Sequence, residues 1–121
     1  MIQRILDRRV ATYGMVLLVR RLEKSGTLVS RSDSHQILSG YVVLEPGDEV
    51  GEHTTEAGEE LIVVFGGKAE IIAEGHVESV EAPCTVLVPA HTVHNVRNRS
   101  GTLLRYVYVV VVSGRSAITK E

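Results

Sequence analysis

Short apolar runs separated by turn-forming residues constrain this chain more than any other feature of its sequence. The six runs cover residues 13–19, 40–44, 61–65, 69–73, 85–88 and 103–112. The segments between them, such as EPGD at 45–48 and RSGT at 99–102, are rich in residues that accept turn geometry. The chain contains 20 Val, 7 Ile and 8 Thr, and β-branched side chains fit a pleated sheet better than a helix. We therefore expect an all-β fold in which many short strands form a sandwich or barrel.

The length of the chain predicts one domain. Its 121 residues are enough for a single core, which we place at about residues 13–112. Helical spacing of apolar residues occurs only near the start, where Ile2, Ile5 and Leu6 recur at that interval. We expect at most one short helical turn there.

Charge and cysteine content exclude several classes of protein. The formal net charge of −2 argues against nucleic-acid and membrane-surface partners. The longest uninterrupted apolar stretch, residues 106–112, is far shorter than the roughly 20 residues of a membrane-spanning helix. The first nine residues carry four charges, which argues against a signal peptide, and the only cysteine, Cys84, cannot form an internal disulfide. A reducing, cytoplasmic location is expected.

Two of the predicted strands are apolar on both faces. Residues 61–65 form one, and in the other, residues 106–112, two tyrosines and two valines alternate with three further valines. A strand in an isolated barrel needs only one apolar face, so the second face should be covered. We predict a homodimer, and the alternative is that the strand around residues 15–19 of the same chain covers that face.

Two stretches contain the residues that could carry chemistry. In the first, residues 47–67, strand alternation puts His53 and Thr55 on one side, and places Glu60 on the same face as Ile62 and Val64. In the second, residues 83–98, the side chains of interest are Pro89, His91, His94 and Asn98, and His94 and Asn98 share one face of the strand that begins there.

The first stretch resembles the first motif of the cupin family. That motif is a Gly, five residues, His-x-His, three or four residues, Glu, six residues and Gly. This chain matches it with Gly47, His53, Glu60 and Gly67, and it has Thr55 where the second His is expected.

The second stretch resembles the second cupin motif, a Gly, five residues, Pro-x-Gly, two residues, His, three residues and Asn. Pro83 and His91 stand in the two Gly places, and Pro89, His94 and Asn98 match the family. Both motifs occur in order with every spacing kept, which is specific for the fold. The resemblance implies a double-stranded β-helix, or jelly-roll barrel, with a divalent metal inside.

Carried over residue by residue, the resemblance implies that His53, Glu60 and His94 are the metal ligands. A neutral threonine hydroxyl is a poor transition-metal ligand, so Thr55 cannot replace the missing imidazole. Two His and one carboxylate suit Fe(II) and are compatible with Mn, Ni or Zn. Thr55 could hydrogen-bond a metal-bound water, and His91 could serve as a replacement donor. If the strand register slips by one residue, Glu59 becomes the carboxylate ligand in place of Glu60.

These observations predict a metal-dependent enzyme, an oxidoreductase, isomerase or decarboxylase, that acts on a small, partly hydrophobic organic molecule. Glu60 or a bound water would move the proton. The alternative is a non-catalytic metal or small-molecule sensor with a degenerate site. We expect the cavity to be lined mainly by apolar residues, namely Val42, Leu44, Ile62, Val64, Val86, Val88 and Val96.

Overall fold

A computed structural model of the protein describes residues 8–12 and 15–112, which form ten β-strands and no helix. The strands are β1 (Arg8–Thr12), β2 (Met15–Val19), β3 (Gly26–Val29), β4 (Ile37–Leu44), β5 (Glu59–Gly66), β6 (Lys68–Ala73), β7 (His76–Glu81), β8 (Cys84–Val88), β9 (His94–Arg97) and β10 (Leu104–Val111). The all-β class is confirmed, while the helical turn expected at residues 2–6 lies outside the described residues. Over the described ranges there is no helix that is long and apolar enough to cross a membrane.

The strands form three antiparallel sheets. β1 and β2 make a hairpin of their own, β3-β4-β10-β5-β8 form a five-stranded sheet, and β7-β6-β9 form a three-stranded sheet. The two larger sheets face each other across one apolar core, because residues of both contribute to it. Its buried members are Leu44, Ile62, Val64, Ala69, Ile71, Val88, Val96, Leu104 and Tyr106. Two sheets joined in this order form the jelly roll that the motifs implied.

β5 shows the alternation that the sequence predicted. Glu60, Ile62 and Val64 are buried on the inner face, whereas Leu61 and Phe65 on the outer face are 39% and 45% exposed. This pattern favours Glu60 over Glu59 as the inward carboxylate, since Glu59 is exposed. Both faces of the strand are apolar nevertheless, so the outer face of the five-stranded sheet presents hydrophobic side chains to solvent.

Gly67 closes the first motif at the point where the chain leaves the five-stranded sheet and enters the three-stranded one. Its φ of +88° lies in the left-handed region, and a Cβ at this position would overlap the carbonyl oxygen of Leu103. Only glycine avoids both the backbone strain and the overlap. The last glycine of the motif therefore has a structural role.

Asn98, the last residue of the second motif, is fully buried. Its amide nitrogen donates to the carbonyl oxygens of Leu44 and Thr102, at 2.9 and 2.8 Å, and its side-chain oxygen accepts from the Ser100 amide at 3.0 Å. The side chain thus satisfies backbone groups at the end of β4 and in the loop that precedes β10. This residue stabilises the fold and takes no part in the metal centre.

Candidate metal centre

His53 and His94 are brought together by an isolated β-bridge. The amide of His53 donates to the carbonyl of His94 at 2.9 Å, and the amide of His94 donates back at 2.8 Å. Residues paired directly in this way extend their side chains to the same face. The two rings accordingly lie with their centroids 4.3 Å apart, although the residues are separated by 41 positions in the chain.

Both imidazoles are oriented by the same local hydrogen bond. His53 Nδ1 lies 2.8 Å from the carbonyl oxygen of Gly51, and His94 Nδ1 lies 2.8 Å from that of Thr92. A carbonyl oxygen can only accept, so Nδ1 carries the hydrogen in each ring. This leaves the lone pair of Nε2 available in a fixed direction, as in metal sites where a backbone carbonyl sets the tautomer of a ligating histidine.

Glu60 completes the cluster from the inner face of β5. Its Oε1 lies 2.9 Å from His94 Nε2, and both side chains are buried. The two atoms are within hydrogen-bond distance and face each other inside the cluster. A divalent cation bound by both groups would replace this contact.

The three side chains fit a divalent transition metal. One ligand atom from each of His53, Glu60 and His94 lies within 4.8 Å of the other two. Metal–ligand bonds of about 2.1 Å place neighbouring ligand atoms about 3 Å apart. The Oε1–Nε2 distance already has that value, and the third atom has to approach by at most about 2 Å. Two imidazoles and one carboxylate leave further coordination positions open, which is typical of a catalytic site.

Of the two additional residues expected at the site, Thr55 lies at the cavity and His91 does not. Thr55 lines the cavity, but its hydroxyl donates to the carbonyl of Gly58 at 2.7 Å, so only its oxygen lone pairs face a ligand. His91 is exposed, does not line the cavity and does not belong to the three-residue cluster. Its φ of 57° is left-handed, which is the conformation that the glycine of the family motif would adopt without strain.

A cavity of about 330 Å³ opens beside the cluster. Residues 50–53 and Thr55 line one side, and Val42, Tyr106, Tyr108 and Val110 line the other. Of the residues expected to line it, Val42 does so. Leu44, Ile62, Val64, Val88 and Val96 do not, because they are buried in the packed core, and Val86 packs against that core. The space for a ligand lies at the mouth of the barrel, since β-branched side chains fill the interior.

The sequence favours a core or interface position for Tyr106 and Tyr108, with one phenol at the cavity as the alternative, and the structure places both at the cavity. Burial, with a contribution from the carboxylate of Glu60, raises the pKa of the Tyr106 phenol well above its ordinary value of 10, and the same two causes raise the pKa of Tyr108. Both phenols are therefore protonated at neutral pH. The available signal was their spacing, because two tyrosines at i and i+2 of an apolar strand share one face.

Comparison with known proteins identifies the family. The family model described as "Cupin domain" matches residues 40–118, which is more than half of the chain. This protein belongs to the cupin family. No curated protein sequence matches the chain.

Several solved structures have a similar fold. A predicted oxalate decarboxylase from Thermotoga maritima is 19% identical, with 88% of this chain and 92% of that chain covered and a TM-score of 0.68. The Cnp3 cupin domain of Schizosaccharomyces pombe is 12% identical, with 88% and 86% covered and a TM-score of 0.72. A conserved protein of unknown function from Streptococcus pyogenes is 25% identical, with 74% and 73% covered and a TM-score of 0.64.

Proposed function

We propose that this cupin binds a divalent transition metal on His53, Glu60 and His94 and acts as an enzyme on a small, partly apolar organic molecule held in the adjoining cavity. The observation that carries the proposal is the shared tautomer of the two imidazoles, each with Nδ1–H bonded to a backbone carbonyl. Imidazoles that served only as polar wall residues would not need the same ring orientation beside one buried carboxylate.

Different residues of the chain would transfer the proton and exclude water from the ligand. When bound, the metal supplies a Lewis acid that polarises an oxygen atom of the ligand. Glu60 is buried and lines the cavity with its carboxylate 2.9 Å from His94, so it is the group placed to accept or return a proton. Apolar side chains such as Val42 and Val110 exclude water from the ligand.

The metal centre is tested by calorimetric titration of chelator-treated protein with Fe(II), Mn(II), Ni(II) and Zn(II), together with elemental analysis of the protein as isolated. We expect about one equivalent to bind to the wild type, and His53→Ala and His94→Ala each to weaken binding by more than about 100-fold. His76→Ala and His91→Ala remove exposed imidazoles and serve as matched controls with unchanged affinity. Wild-type protein that binds none of the four ions would refute the proposal.

The enzymatic part needs a separate test, because a sensor would also bind metal. Glu60→Gln keeps the size of the side chain and removes its negative charge. Once a substrate has been found by screening the metal-loaded protein, we expect Glu60→Gln to abolish turnover even at metal concentrations that saturate the variant. A saturated variant that turns over at the wild-type rate would show that Glu60 moves no proton. A metal-loaded wild type that converts no compound of the class would favour the sensor.

A further inference from the structure

Two phenol hydroxyls in the cavity donate no hydrogen bond to the described residues. Tyr106 and Tyr108 stand two residues apart on β10 and line the cavity. Within the described ranges neither phenol hydroxyl has a hydrogen-bond partner, whereas the hydroxyl of Tyr41, on the outer face of the same sheet, lies 3.4 Å from Nη1 of Arg105. Phenols in protein interiors normally find a partner, so these two hydroxyls are available to a bound molecule.

Gly40 fixes the position of one of these phenols. It is paired with Tyr108 across β4 and β10, and a Cβ on Gly40 would come within 2.6 Å of the ring carbon Cζ of Tyr108. The ring therefore lies directly over the backbone of Gly40, in the space that any other residue would fill. A strand glycine covered by a cross-strand aromatic ring is a stabilising arrangement, and it holds the hydroxyl in one place.

The remaining polar groups of the cavity do not favour a strongly anionic ligand. Neither Lys nor Arg occurs among the described residues that line it, and Glu52 at its edge is acidic. The Nδ1–H of His53 and the hydroxyl of Thr55 are already donated to carbonyl oxygens. A divalent ion together with Glu60 carries one net positive charge, and the lining adds Glu52 but no cation, so the site balances at most a single negative charge on a ligand.

We propose that Tyr106 and Tyr108 determine ligand specificity, and that the ligand is a small monocarboxylate with an apolar body. Its oxygen atoms accept hydrogen bonds from the two phenols, and its apolar part lies against Val42, Val50 and Val110. A dicarboxylate or a phosphate ester is excluded, because its second charge would meet no cation. This inference rests on the proposed function, since the metal supplies the only positive charge of the site.

Isobutyrate and dimethylmalonate form a matched pair of probes, because they differ by one carboxylate on the same carbon atom. Each is titrated into protein loaded with Zn²⁺, whose filled d shell adds no absorption band. The chain has 4 Tyr and no Trp, so the near-ultraviolet difference spectrum reports directly on tyrosine environments. We expect isobutyrate to perturb that spectrum and to bind at least about tenfold more tightly than dimethylmalonate.

Tyr106→Phe and Tyr108→Phe remove only a hydroxyl and keep the volume of the ring. Each should weaken isobutyrate binding about tenfold or more, because a hydrogen bond to a charged oxygen is lost. Gly40→Ala should also weaken it by displacing the Tyr108 ring while both hydroxyls remain. Tyr41→Phe is the matched control on the outer face and should leave isobutyrate affinity unchanged.

Zn²⁺ affinity is measured separately for every variant, which keeps the two proposals distinguishable. Wild-type protein that binds no Zn²⁺ would overturn the proposed function and this inference together. Unchanged Zn²⁺ affinity combined with wild-type isobutyrate binding in both Phe variants would overturn the phenol assignment alone. Tighter binding of dimethylmalonate than of isobutyrate would overturn the assignment of the ligand as a monocarboxylate.

Discussion

Hydrogen bonds between residues two positions apart decide what the imidazoles of this protein can do. His53 and His94 each donate Nδ1–H to the carbonyl of residue i−2, Gly51 and Thr92 respectively. Each ring is thereby held in one tautomer with Nε2 free of the backbone, and Nε2 of His94 lies against Glu60. Without this bond the orientation of the rings would be less fixed, and a metal would have to order them at an entropic cost.

The buried phenol of Tyr106 predicts a loss of stability at alkaline pH. Its pKa is raised in the folded state, so above pH 10 the folded protein holds a proton that the unfolded chain releases. The unfolded state then binds fewer protons, and the free energy of unfolding falls as pH rises, by up to about 1.4 kcal/mol per pH unit for this group. Below pH 10 the phenol contributes no slope.

Urea denaturation of the wild type and of Tyr106→Phe at several pH values between neutrality and pH 11 checks this prediction. We expect the stability of the wild type to fall more steeply than that of the variant above about pH 10, because the variant lacks this ionisation. Lysine deprotonation affects both proteins and cancels in the difference. Parallel curves throughout the range would contradict the prediction.

At the scale of elements, the connection between β5 and β6 is a position where a single substitution should destabilise the fold. Gly67 combines a left-handed φ with a backbone contact that leaves no room for Cβ, at the point where the chain changes sheets. Gly67→Ala should lower the free energy of unfolding by about 3 kcal/mol, from left-handed strain of about 1–2 kcal/mol and the remainder from overlap with Leu103. Chemical denaturation measures the change.

Gly75 provides the matched control for this substitution. It lies in the turn between β6 and β7 with φ +84°, but a Cβ there would have nothing within 4 Å. Gly75→Ala should therefore cost only the strain, about 1 kcal/mol. An equal decrease in the free energy of unfolding for the two variants would show that movement of the chain relieves the overlap at Gly67.

At the scale of the whole molecule, the outer face of the five-stranded sheet exposes apolar side chains over β5 and β8. Leu61 on β5 pairs with Leu87 on β8 and with Val109 on β10, so the apolar side chains form one continuous surface. Leu87 is 61% exposed. The strand β2 is hydrogen-bonded to β1 in a separate sheet, and the homodimer stays a prediction.

Sedimentation equilibrium at several concentrations tests the dimer. We expect the wild type to sediment as a dimer and Leu87→Lys to sediment as a monomer, because a charge buried in an apolar interface has no partner. Val77→Lys is the control, since Val77 is 54% exposed on β7 of the other sheet. A wild type that is monomeric at every concentration, or a Leu87→Lys variant that remains dimeric, would count against the outer face as the interface.

Much of the architecture could be predicted from the chain alone. The β-branched runs and the spacing of the two motifs predicted an all-β jelly roll, but the choice between Glu60 and Glu59 stayed open until the strand register of the structure placed Glu60 inward. The location of the cavity could not be predicted, because Leu44, Ile62 and Val96 face inward as expected but pack against one another. Whether inward side chains line a space or fill it depends on the distance between the sheets, which alternation does not encode.

The sequence by itself determined the residue types in the site and which of them share a face of a strand, because strand periodicity and motif spacing are local properties. Only the tertiary structure decided which of them meet. His53 and His94 face each other through a bridge between distant segments, and Tyr106 and Tyr108 reach the same cavity from another strand. Such pairings arise from the register and packing of two sheets, and these are set by interactions throughout the core and not by the residues that carry the chemistry.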